Sequence, residues 1–217
     1  MNDIKQKDSL LALRIAYAVW ILIAPFGILY VPGKLFSGTA TEVAQNILEH
    51  QWMLKLGAVS QLVSYLIYMI VVILFYYFFK SVSKRCVINL AIFSLVSIPI
   101  SMLGVLGWYV ALSLAGTNND LMMIALDFSE KGMYLASIFW GLWLLPLASL
   151  TKMSGYFPSF ISIALRIGAI GYLLGAFSQF LFENVDNYMQ VFDLLTMGET
   201  VFVLWLVFMG AKLPKEN

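Results

Sequence analysis

Apolar residues in this chain gather in long runs rather than in the alternating or three-to-four-residue patterns of half-buried elements. Six runs stand out, over 10–31, 53–79, 87–115, 132–151, 160–182 and 198–212. A helix crossing a bilayer needs about 20 mostly apolar residues, because roughly 30 Å of hydrocarbon is covered at about 1.5 Å per residue. Backbone groups in lipid must bond within their own segment, so runs of this kind are expected to be helices. The pattern predicts an all-α integral membrane bundle of six transmembrane helices, a single domain over 1–217. The second and third spans are long enough to tilt or to extend beyond the membrane. The sixth is the shortest.

Composition points the same way. Hydrophobic residues make up 61% of the 217 and charged residues 12%, with a mean hydropathy of +0.87. Soluble domains average about 45–50% and about 25%, so too little polar surface remains to cover a water-soluble globule. A net charge of +1 gives no reason to expect nucleic acid as a partner. The lone Cys86 excludes an intrachain disulfide and the lone His50 a multi-histidine metal or haem site. No cofactor or metal is expected.

Charge sets the direction of threading. With a cytoplasmic N-terminus, Lys5, Lys7, Arg14, Lys80, Lys84, Arg85, Lys152, Arg166, Lys212 and Lys215 fall inside, leaving Lys34, Lys55 and Lys131 outside. Glu42, Glu49, Asp120, Asp127, Glu130, Glu183, Asp186, Asp193 and Glu199 fall outside. Cytoplasmic loops carry the Lys/Arg excess, so the chain is expected to be N-in and C-in, in the cell (inner, cytoplasmic) membrane. A reporter fused after Lys84 should behave as cytoplasmic and one after Asn187 as external; the reverse pair overturns the assignment. The first span is too long for a signal-peptide core and its n-region MNDIKQKD mixes charge signs, so it reads as a retained anchor despite SGTA at 37–40.

The loops carry start signals. Thr39–Glu42 and Thr196–Glu199 both fit the S/T-x-x-E capping box. The first opens a short amphipathic outer segment, TEVAQNILEHQW, and the second is expected to open the sixth span after an acidic loop, 183–199. Asn118–Asp120 supply a further N-cap, which makes LMMIALDF an outer interfacial helix leading to the fourth span.

Pro25, Pro99 and Pro146 deprive the carbonyls of Ile21, Leu95 and Leu142 of their amide partners, which predicts fixed kinks whose freed groups are satisfied by neighbours, Ser/Thr side chains or waters, with a hinge for a transport cycle as the less favoured use. Gly168, Gly171, Gly175 and Ser178 share one face of the fifth span, and Ser94, Ser97, Ser101 and Gly104 form a like stripe on the third. Such small-residue faces are expected to pack helices within the chain. Homo-oligomerisation through Gly171 and Gly175 is the weaker use.

A candidate outer pocket follows from polarity at depth. Gln61, Ser64 and Tyr68, with Gly57 and Ser60, confine polar groups to one side of the second span. Glu130, Gln179 and Glu199 stand at the outer ends of the fourth, fifth and sixth. Polar side chains in spans commonly face the bundle interior or a wet cavity, and Lys55 or Lys131 offers a counter-charge. Each has a structural alternative: Glu199 as a cap, Glu130 as a solvated charge, Gln61 as an interhelical hydrogen bond. Arg14 and Arg166 are expected to snorkel to headgroups. Trp52 and Trp108 are expected at the outer interface, and Trp140 and Trp143 between helices.

No H-E-x-x-H, G-x-S-x-G, P-loop or G-x-G-x-x-G pattern is present. The stretch 139–174 resembles the signature of the family called domain of unknown function 4386. FWGLWLLPLA, SGYFPSFIS and GAIGYLL are similar to its FFGLWLLPLG-like span, its SGFLPRILG-like inner loop and its Gly-rich GxGYL span. RIAYAVW (14–20), residues 39–62 and GETVFVLWLVFMGAK (198–212) are similar too. Many members carry a His before the fourth span where this chain reads SEKG, so no role for it passes to Ser129 or Glu130. The inner loop also lacks the usual basic residue and final Gly. The resemblance implies a bacterial-type multi-pass protein of about six helices, with no established activity. Three functions are weighed, in order: a binding, regulatory or assembly protein; a small-molecule or ion transporter; an intramembrane lipid-acting enzyme. The expected partners are membrane lipid and an unidentified small molecule or protein.

Overall fold

A computed structural model describes residues 2–182 and 186–213. Glu183 and Lys215, which entered the charge assignment, lie outside the described residues. All regular structure among the described residues is helical: α1 (Asn2–Pro25), a π-helical turn (Phe26–Tyr30), α2 (Val31–Leu35), α3 (Ala40–Glu49), α4 (Gln51–Phe79), α5 (Lys84–Leu114), α6 (Asn119–Ser154), α7 (Ser159–Leu181) and α8 (Asp186–Phe208). Six stretches are long and apolar enough to cross a membrane: Gln6–Leu35, Gln51–Phe79, Lys84–Leu114, Asn119–Ser154, Ser159–Leu181 and Tyr188–Phe208. Along each, large apolar side chains stand exposed, as Leu22, Ile70, Ile92, Leu145, Ile163 and Leu204 do. Lipid is the solvent that accepts such a surface.

Two boundaries differ from the expected ones. LMMIALDF is helical and Asn118 caps it, its Oδ1 accepting from the Leu121 amide at 3.1 Å, but the helix runs without a break into the fourth span. The sixth span opens ten residues early, at Tyr188 rather than 198. Thr196 is therefore interior to α8, its hydroxyl donating to the Asp193 carbonyl at 2.7 Å, and the second capping box is not formed. The reason lies in spacing. Met189, Phe192 and Leu195 recur every three residues and lie against the glycine face of α7, which draws a polar-looking segment into helix.

The chain forms two compact units, Met1–Ala18 with Met69–Ser97 and Tyr134–Asn217, and Val19–Tyr68 with Ile98–Met133. The second has a core of Val31, Leu35, Ile47, Leu54, Trp108 and Met122, among others. The ring of Phe36 meets Trp108 edge-on at 5.0 Å. Trp108 is thus 4% exposed and a core residue, whereas Trp52, 75% exposed, has the interfacial character expected of both. The first capping box is complete: the Thr39 amide donates to Glu42 Oε2 at 2.7 Å and the Glu42 amide to Thr39 Oγ1 at 3.4 Å. These bonds hold the Glu42 carboxyl below its usual pKa. α3 buries Val43, Ala44 and Ile47.

The first unit is held by aromatic side chains. Phe75 lies 6.1 Å from both Trp143 and Phe202, and Phe157 lies 5.6 Å from Phe202. Its turn between α6 and α7, SGYFP, needs Gly155 at φ +66°, a left-handed value open to glycine. Tyr156 then fastens the turn, its carbonyl accepting from the Lys212 amide at 2.9 Å and its hydroxyl from Gln6 Nε2 at 2.9 Å. Arg14, rather than reaching only to headgroups, donates to the Val207 carbonyl at 2.9 and 3.1 Å, occupying orphan acceptors at the C-terminus of α8.

Candidate functional site

In the second unit Pro25 ends the ordinary hydrogen-bond ladder of α1. The backbone resumes with wider spacing, the Val31 amide donating to the Phe26 carbonyl across the π-turn. Side chains of α4 satisfy one carbonyl before Pro25 and one within the π-turn. Ser60 Oγ donates to Ile23 at 2.7 Å and Gln61 Nε2 to Gly27 at 2.8 Å. Close approach makes these bonds possible: a Cβ on Gly27 would stand 2.5 Å from the Gly57 carbonyl oxygen. Gln61 Oε1 accepts from the Tyr65 hydroxyl at 3.3 Å, and that hydroxyl also lies 3.4 Å from Met133 Sδ and bonds Ser101. Ser64 donates to the Ser60 carbonyl at 2.7 Å. Polar groups at membrane depth are here matched donor to acceptor.

Of the six pocket residues read from sequence, Gln61, Ser64, Tyr68 and Glu130 belong to the second unit, and Gln179 and Glu199 to the first. Gln61 and Ser64 are buried and bonded to backbone. The placement of Glu199 differs from the sequence expectation. It lies eleven residues after Tyr188 and nine before Phe208, in the middle of its span rather than at an end. The early start of α8 moved it there.

At that depth Glu199 Oε2 accepts from the Tyr172 hydroxyl at 2.8 Å. Tyr172 is itself central in α7, nine residues before Leu181. Its ring meets Trp140 edge-on at 5.9 Å. Tyr17, 1% exposed, is close enough to interact electrostatically with both Glu199 and Tyr172. No Lys or Arg pairs with Glu199 among the described residues. The backbone around it is pinned by glycine contacts: a Cβ on Gly168 would meet the Glu199 amide at 3.3 Å, and one on Gly198 would overlap the Ala164 carbonyl oxygen. Gly171 and Gly175 face Leu195 and Phe192 of α8 in the same way. Tyr17 and Tyr172 escaped the sequence reading because each stands alone among apolar neighbours. The signal that was available is that a mid-span phenol needs a partner for its hydroxyl.

Six apolar helices with lipid-suited exteriors, and a carboxyl set among phenols in the middle of one of them, define a multi-pass helical membrane protein. Residues 15–210 match the model of the family described as Domain of unknown function (DUF4386), and the chain belongs to that family. Comparison with curated proteins and with solved structures yielded no match.

Proposed function

We propose that this is a binding and regulatory protein of the cytoplasmic membrane whose responsive element is the mid-span Glu199–Tyr172 pair, and that the bound species is a small cation. The supporting observation is the carboxyl itself, held 2.8 Å from a phenol and without a basic partner among the described residues. A charge in hydrocarbon is costly unless it is paired, and intramembrane acids mark ion or proton sites. The carboxylate supplies charge to a cation, while Tyr172, Tyr17 and Trp140 present aromatic surface that a cation also favours. Of the six polar residues singled out in the sequence, Glu199 is the one this reading retains as ligand-binding. Transport of the same cation is the second reading, favoured by depth, since carrier sites lie near the bilayer midplane.

Titration calorimetry of the protein in lipid nanodiscs with sodium, potassium and tetramethylammonium chlorides tests the proposal. At least one cation should bind, and Glu199→Gln should weaken it by about 10-fold or more, the size of a lost charge-assisted contact. Tyr172→Phe should weaken it less, because the charge remains. Equal binding by the wild type and Glu199→Gln, or no binding of any of the three, overturns the reading. Flux of the bound cation in proteoliposomes then separates transport from binding alone.

A further inference from the structure

The second unit carries a cleft of about 620 Å3 where α2, the end of α3 and the start of α4 meet. Its lining includes Tyr30, Lys34, Glu49, His50, Trp52 and Lys55. We infer that this cleft binds the headgroup of a zwitterionic phospholipid, with the phosphate at Lys34 and Lys55 and the ammonium at Glu49.

Position comes first. The first apolar span ends at Leu35 and the second begins at Gln51, so the cleft lies where two spans stop, at the level of headgroups. Exposed Leu29, Tyr30 and Leu56 beside it offer an apolar surface for acyl chains. Trp52, three-quarters exposed, has the amphipathic character that suits this level.

Charge then selects the headgroup. Lys34 and Lys55 supply two cations without an ion-pair partner among the described residues; Lys55 Nζ rests over the Trp52 ring, 5.2 Å from its centroid. A cation–π contact at an exposed site is worth only about 0.5–1 kcal/mol, so a phosphate displaces it readily. The first turn of α4 also lines the cleft, and the amides of Gln51, Trp52 and Met53 come before the first bond of that helix start, from Leu54 to the His50 carbonyl. Glu49, in the last turn of α3, lines the same cleft, and its carboxylate, which accepts from Gln45 Nε2 at 3.0 Å, suits an ammonium. Cationic and anionic side chains lining one cleft match a phosphate joined to an amine better than a phosphate alone. The lining does not include Glu199 or Tyr172, so the inference does not rest on the cation site.

Native mass spectrometry of the detergent-solubilised protein with added short-chain phosphatidylethanolamine, phosphatidylglycerol or inorganic phosphate tests the assignment. Phosphatidylethanolamine should be retained best and inorganic phosphate least. Lys34→Gln with Lys55→Gln should lower phosphatidylethanolamine retention by about 10-fold, and Glu49→Gln should move preference towards phosphatidylglycerol. Inorganic phosphate bound as tightly as the lipid would assign the cleft to a soluble ligand and overturn the proposal. Unchanged lipid retention in the double variant would overturn it too. Should the double variant fail to fold, Lys34→Gln alone, on an exposed side chain, carries the same test with a several-fold loss expected.

Discussion

Gly198→Ala is expected to be the most damaging single-methyl change in the protein. A Cβ at 198 would overlap the Ala164 carbonyl oxygen and stand 2.7 Å from its carbon. Both belong to helix backbone, so neither can rotate aside as a side chain would, and α7 and α8 must separate. Overpacking costs about 1–3 kcal/mol where side chains absorb it, and a backbone collision belongs at the upper end. A loss of about 3 kcal/mol corresponds to a fall in thermal midpoint of roughly 10 °C for a chain of this size. Gly171→Ala, whose Cβ would stand 2.7 Å from Leu195 Cβ and 2.8 Å from the Phe192 carbonyl oxygen, should behave similarly. Gly33→Ala is the control: its Cβ meets nothing within 4 Å, and alanine favours helix, so its midpoint should hold or rise slightly. Equal midpoints for Gly198→Ala and Gly33→Ala in thermal unfolding of the purified protein would show that the α7–α8 crossing is not close.

Gln61→Leu is expected to lower stability by about 1–3 kcal/mol, the cost of leaving buried polar groups without their partner. The change strips the Gly27 carbonyl of its donor and the Tyr65 hydroxyl of one acceptor, next to a backbone already interrupted by Pro25. Leucine matches the volume of glutamine closely enough that packing changes little. Tyr65→Phe should cost less, and the double variant should cost less than the two single losses added, because both remove the same Gln61–Tyr65 bond. Thermal unfolding of the four proteins in one detergent reads this directly. An unchanged midpoint in Gln61→Leu, with a bound small molecule lost, would instead assign Gln61 to a ligand pocket.

The contrast between Gln61 and Glu199 shows how far each was legible in the chain. Both stood out as polar residues in apolar surroundings. For Gln61 an interhelical hydrogen bond was already the alternative, and the structure supplies the acceptor, the Gly27 carbonyl within the π-turn. Pro25 announced that carbonyls would need outside donors but not which ones. The donors of α4 reach Ile23 and Gly27, a choice made by where α4 crosses.

What the sequence determined by itself is what bulk physics decides. Long apolar runs must become helices in hydrocarbon, so six spans, the capped α3 and the intramolecular role of the α7 glycines were all readable without coordinates. The tertiary structure alone decided where α8 begins and therefore where Glu199 lies. Locally, residues 186–197 are polar enough to read as loop, and Thr196–Glu199 has the form of a helix start. The glycine face of α7 offers them a closely fitting surface, and the packing gained there outweighs the weak local preference. That one contact carries the acid from the membrane surface to its middle, beside a tyrosine no motif had marked.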